Sequence, residues 1–189
     1  MSLVRARHLR LRFAPAYLAA VLAIAVFEAR PATLVIGAGL VALGVALRSW
    51  GAGHLVKREA LTLSGPYAHL RHPLYAGTLA VCLGFATAVG GGWMWPLLAG
   101  NALWFFVAYF PRKERLESEL LEARYGGAYT AYRARVPALW PALRAYAGPG
   151  GAAGTRAWRW RRYRENGEAG TALAVLAGVG LLALRASLA

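Results

Sequence analysis

Residues 74–111 form a run of 38 without one charged side chain. A single membrane-spanning helix needs about 20 apolar residues, so a run of this length reads as two helices joined by a turn. Gly90, Gly91 and Gly92 supply the turn, and Trp93 and Trp95 follow where a membrane–water interface would lie. Three further uncharged stretches, 13–27, 31–47 and 169–184, bring the expected number of spans to five. The first and last, at 15 and 16 residues, are short and need flanking arginines that snorkel toward headgroups. The 169–184 stretch reads as the weakest of the five. The expected fold is all-α, an integral membrane helical bundle of about five transmembrane helices.

Composition agrees with that reading. Hydrophobic residues make up 58% of the 189 and charged ones only 16%, where a soluble domain carries about a quarter. The chain has no Asp, and eight Glu stand against 22 Lys and Arg, for a net charge of +14. That excludes aspartic dyads, carboxylate-rich metal cages and triads that need an Asp. The single cysteine, Cys82, excludes an intramolecular disulfide and a thiolate metal cluster. Of the 22 basic residues, 20 fall before the first span, between the second and third, or between Arg112 and Arg164. The N-terminus and both long polar segments are therefore expected on the cytoplasmic side. A secretory signal is the competing reading of the N-terminus, but residues 27–31 (Phe-Glu-Ala-Arg-Pro) make a poor cleavage site. Arginines at the borders of apolar runs point to anionic membrane lipids as partners, and not to nucleic acid.

The expected organisation is a transmembrane core over 1–143, a basic Trp- and Arg-rich interfacial segment over 144–168, and a C-terminal helix over 169–189. Gly148, Pro149, Gly150, Gly151 and Gly154 make a flexible link within the middle part. Chemistry is expected in the two cytoplasmic segments, 48–73 and 112–168.

In the first of these, Gly65-Pro66 forms a turn in which the glycine lets backbone approach a ligand. His72-Pro73 places Pro73 in the first turn of the third span, where its missing N–H costs nothing. The N–H groups that follow are expected to face the cytoplasmic boundary as a site for an anion, which Arg71 either joins or ignores by snorkelling. In the second segment Lys113 and Glu117 are i,i+4, and Leu116, Leu120 and Leu121 give an apolar stripe, the pattern of an amphipathic helix.

Taken together, Gly65-Pro66-Tyr67, Arg71-His72-Pro73, Tyr75 and Gly77 resemble the signature of the isoprenylcysteine carboxyl methyltransferase and phospholipid N-methyltransferase family, and the upstream Lys57 and Leu61 also fit bacterial members. The second segment is similar to the family's second motif through Lys113, Glu117, Leu121, Tyr125-Gly126, Tyr129, Tyr132, Val136-Pro137 and Pro141. The likeness covers roughly 31–143, and a tail with Trp158, Trp160, Asn166 and Glu168 also looks like some bacterial members. One departure stands out. The family usually carries two adjacent acids, and here Ser118 holds the second position with Glu119 one further on. One residue turns a helical side chain by about 100°, so Glu119 is no simple replacement.

The resemblance implies a methyltransferase that uses S-adenosyl-L-methionine. Lys57, Leu61, Gly65, Pro66, Tyr67, Arg71, His72, Pro73, Tyr75 and Glu117 would then form the cofactor site. Arg71, or the N–H groups near Pro73, would meet the cofactor carboxylate, and Glu117 its ribose hydroxyls or amino group. Tyr67 and Tyr75 would flank the adenine or the sulfonium, where an aromatic face favours positive charge. Lys113 and Glu117 are the expected catalytic residues, with Arg112 competing for the basic role. The acceptor would be a lipidic or membrane-partitioned carboxylate, amine or thiol, and an amine would need a base such as His54 or Glu119. No metal is called for. The richness in Arg, Ala and Gly suggests a bacterial source, hence the inner membrane. The alternatives are a sterol-type reductase on a related membrane fold and a non-catalytic membrane adaptor.

Overall fold

A computed structural model describes residues 27–28, 30–56, 60–148 and 157–188. The expected first span, the basic residues before it, Lys57 and most of the Gly-Pro-Gly link lie outside these. The described residues are helical with no strand, as the all-α reading requires. Helix α1 covers Pro31–His54, a short 3₁₀ turn Gly65–Ala68, α2 Pro73–Val89, and α3 Met94–Leu103. A π-helical stretch, Trp104–Tyr109, joins α3 without a break to α4, Phe110–Tyr125. Helices α5, Gly127–Arg135, α6, Trp160–Glu165, and α7, Glu168–Ser187, complete the order.

Two helices, α1 and α7, are long and apolar enough to cross a membrane, and α2 is a shorter apolar helix of 17 residues. The two-helix reading of residues 74–111 holds at its turn. Gly90 and Gly91 take φ of 72° and 57°, and a Cβ on Gly91 would collide with the Glu28 carboxylate. The stretch read as weakest becomes the 20-residue α7 by gaining Glu168 at its start, where Arg48 neutralises the carboxylate, and Arg185, Ala186 and Ser187 at its end. From Met94 to Tyr125 the helical rod is about 45 Å long, longer than a hydrocarbon core is thick, and only its first half is apolar. Trp93, Trp95, Leu103, Trp104, Phe106 and Val107 on that half are exposed, as are Leu173, Leu176, Leu181 and Leu184 on α7.

Helices α1 and α2 meet backbone to backbone through glycines spaced by seven. A Cβ on Gly44 would come 2.6 Å from the Gly77 carbonyl oxygen, and one on Gly77 would come 2.7 Å from the Gly44 oxygen. Gly37 and Gly84 repeat the arrangement at 2.5 and 2.7 Å. Small residues let helix backbones approach this closely and gain dispersion contacts along the seam.

After α5 the chain turns back along the 61–72 loop. The N–H groups of Arg71 and His72 donate to the Pro137 and Ala138 carbonyls at 2.9 and 3.0 Å, and those of Ala142 and Tyr146 donate to His69 and Ala68 at 2.8 Å each. Tyr129, Tyr132 and Val136 form a core cluster against Leu61, Leu63, Leu121, Tyr125 and Tyr146. The loop that carries the first motif is thus held between the end of α1 and the segment after α5.

Candidate functional site

Pro73 opens α2, as expected from the His72-Pro73 order, and is fully buried. The residue before a proline is pushed out of the helical region, so His72 stands as the cap with its side chain turned inward. Tyr75 lies on the first turn of α2. One turn of α4 faces this corner and presents Glu117. The Tyr75 hydroxyl donates to one Glu117 oxygen, and His72 Nδ1 lies 3.5 Å from the other. His72 is only 5% exposed, and its buried Nε2 has no hydrogen-bond partner among the described residues. The Tyr75 ring lies tilted against His72 and the Phe110 ring meets it edge-on, both with centroids 5.5 Å away, and Tyr109 and Phe110 stand edge-on to Tyr75.

Burial would raise the Glu117 carboxyl, but hydrogen bonds from His72 and Tyr75, with the charges of His72 and Lys113, outweigh it and hold the group below its ordinary value. Lys113 is exposed one turn earlier and acts on Glu117 by charge. Burial pushes the Tyr67 hydroxyl well above its ordinary value, aided by the neighbouring Tyr132 and Glu117, so it stays protonated.

Arg71 is held by protein groups. Its Nη2 pairs with Glu114 at 2.7 Å, its Nε donates to the Val136 carbonyl at 2.9 Å, and its Nη1 lies 3.5 Å from the Tyr129 hydroxyl. The expected anion site at the start of α2 is partly closed, because the Tyr75 and Ala76 N–H groups both donate to the His72 carbonyl at 3.1 and 3.0 Å. Gly65 does allow a close approach at φ 60°, but what approaches is the His54 ring, 2.5 Å from where a Cβ on Gly65 would lie. Pro66 is fully buried, the Tyr67 carbonyl accepts from the Tyr132 hydroxyl at 2.7 Å, and Leu61 belongs to the tyrosine cluster. Of the residues the resemblance implies, His72, Tyr75 and Glu117 are in mutual contact, with Arg71 beside them through Glu114. Leu61, Gly65 and Pro66 support the loop.

Glu114 is the residue that sequence reasoning missed. Position 118 faces inward: Ser118 is 4% exposed, with its Oγ 2.8 Å from the Tyr129 hydroxyl. Glu114, four residues earlier on the same helix face, supplies the carboxylate that meets Arg71 there, while Glu119 is exposed. The signal was available as the i,i+4 spacing of 114 and 118. Ser118→Ala is expected to lower stability by about 1 kcal/mol, because the buried Tyr129 hydroxyl loses its short bond and keeps the longer contact with Arg71. Thermal unfolding in detergent measures it, and an unchanged midpoint would contradict the pairing.

No family model, no curated protein sequence and no solved structure matches this chain.

Proposed function

We propose that the protein is a membrane-embedded methyltransferase dependent on S-adenosyl-L-methionine, acting on a lipidic or membrane-partitioned acceptor. The observation that carries this reading is the meeting of two sequence-distant segments, each of which resembles a motif of the same family. Arg71, His72 and Tyr75 lie against Glu114 and Glu117 through hydrogen bonds and ion pairs. The residues fit the cofactor in kind. His72 Nε2 is a buried polar atom with no hydrogen-bond partner among the described residues, and Glu117 is a half-exposed carboxylate able to accept further hydrogen bonds. Tyr75, Tyr109 and Phe110 add aromatic surface suited to a sulfonium or an adenine.

When bound, S-adenosylmethionine supplies the methyl group and its own leaving group, so the protein need provide no covalent partner. What these residues do is hold, orient and exclude water. Glu117, kept ionised by His72, Tyr75 and Lys113, accepts hydrogen bonds and adds negative charge near the aromatic wall. His72 Nε2 offers one fixed contact, and Lys113, exposed at the rim, orients a negatively charged acceptor.

The reading includes about five spans, with the N-terminus and the site on the cytoplasmic side of a bacterial inner membrane. Anionic lipids would surround the basic borders. The exposed apolar faces of α1, α3 and α7 support it, since leaving such surface in water costs about 25 cal/mol per Å². The membrane-side test uses an exposed position on α4. Glu119→Cys, in a Cys82→Ser background, is expected to resist an impermeant thiol reagent in intact cells and to react in inverted vesicles. Labelling in intact cells would reverse the orientation.

Calorimetry in detergent tests the activity class directly. Binding of S-adenosylmethionine, with none of NADPH, is the expected result. The reverse would favour a reductase, and binding of neither would favour an adaptor.

A further inference from the structure

The most heavily bonded charge in the described residues lies outside the candidate site. Arg48, near the end of α1, faces Glu168, the first residue of α7, through two parallel bonds: Nη2 to Oε1 at 2.5 Å and Nε to Oε2 at 2.9 Å. The two side chains are 18% and 7% exposed. A charge taken out of water this far needs its partner and further hydrogen bonds. The side-on pairing uses one edge of the guanidinium and leaves Nη1 directed at α2. There it donates to the Leu74 carbonyl at 3.1 Å and to Thr78 Oγ1 at 2.5 Å. Leu74 precedes Tyr75, whose hydroxyl holds Glu117. One ion pair therefore ties α1 and α7 to the turn of α2 that presents the site.

The same C-terminal segment reaches the site loop by a second path. A helix end leaves carbonyls without partners. At the end of α1, Asn166 Nδ2 donates to the Ala52 and Leu55 carbonyls at 2.9 and 3.1 Å, and the Arg159 N–H donates to Gly53 at 3.0 Å. The Trp158 indole N–H adds a bond to the Ser49 carbonyl at 3.0 Å. That capped end carries His54, whose Nδ1 lies 3.2 Å from Ser64 Oγ and whose ring is the seat of Gly65.

We infer that Glu168, acting through Arg48 on the Leu74 carbonyl, is a positioning residue for the Tyr75–Glu117 pair, so that the C-terminal segment sets the affinity of the site. The inference rests on the proposed cofactor reading for its ligand but not for its geometry. A tether between helices requires only opposite charges. Positioning requires a donor at residue 48 aimed at Leu74, which a carboxylate cannot be.

The charge swap separates the two. Arg48→Glu and Glu168→Arg are expected, singly, to lower both the unfolding temperature and S-adenosylmethionine affinity. The double variant restores the pair and with it the unfolding temperature. Its affinity is expected to stay about tenfold weaker, in line with loss of one charged hydrogen bond. Fluorotyrosine incorporated at Tyr75 gives a second readout by fluorine NMR, and its resonance is expected to remain displaced in the double variant. Recovery of both affinity and resonance in the double variant would overturn the inference and leave a tether only. If the wild type binds no S-adenosylmethionine, the methyltransferase reading fails and the resonance alone decides the inference. If the swapped chains do not fold, Arg48→Lys, which keeps the charge opposite Glu168 but lacks the planar fork that also reaches Leu74, takes their place. A displaced Tyr75 resonance in that variant supports positioning, and an unmoved one overturns it.

Discussion

Glu117→Gln is expected to weaken the proposed S-adenosylmethionine binding by about tenfold to a hundredfold, and Glu122→Gln to leave it unchanged, the largest expected effect on the site. A charge-assisted hydrogen bond is worth roughly 1.5–3 kcal/mol, which sets that range. The two residues share α4 and its charge, so the comparison removes general electrostatics. Glu117 meets Tyr75 and His72, whereas the Glu122 carboxylate receives, among the described residues, a long contact from Thr130 Oγ1 at 3.4 Å. The substitution also carries a pH signature. A carboxyl held below its ordinary value contributes stability that is present above the unfolded-chain value and lost as pH falls through the folded one. Glu117→Gln therefore flattens the acid limb of stability against pH. Equal silence of both variants in calorimetry would reduce α4 to an amphipathic surface helix.

The second large effect lies in the α1–α2 seam. Gly44→Ala is expected to cost about 1–3 kcal/mol of stability, because the added methyl meets backbone and the two helices must separate. Gly39→Ala, on the same helix where an added Cβ meets no neighbour within 4 Å among the described residues, is expected to be neutral or to stabilise by up to about 1 kcal/mol through helix propensity. Unfolding in detergent, with the two variants at matched concentration, gives the comparison. A Gly44 variant as stable as the Gly39 variant would mean that the helices do not pack through this face. Since Arg48 lies one turn beyond Gly44 and binds the turn of α2 that carries Tyr75, loss of the seam should also weaken the site.

The sequence by itself determined the helical class, the Gly90–Gly92 turn, the proline start of α2 and the amphipathic α4. Each depends on local chemistry: an uncharged run, a backbone free to take positive φ, a ring that fixes φ, or a spacing of three and four. It also paired the two motif segments through a family resemblance, though without contacts. Only the tertiary structure decided which acid serves which base. Glu114, not Glu119, meets Arg71, because the side of α4 that faces the loop follows from how the rod leaves its π-helical stretch. Arg48 and Glu168 are 120 residues apart, and in sequence each is an ordinary border charge. Their partnership exists because α7 returns to the end of α1, where both charges lose water and each becomes the other's replacement for it.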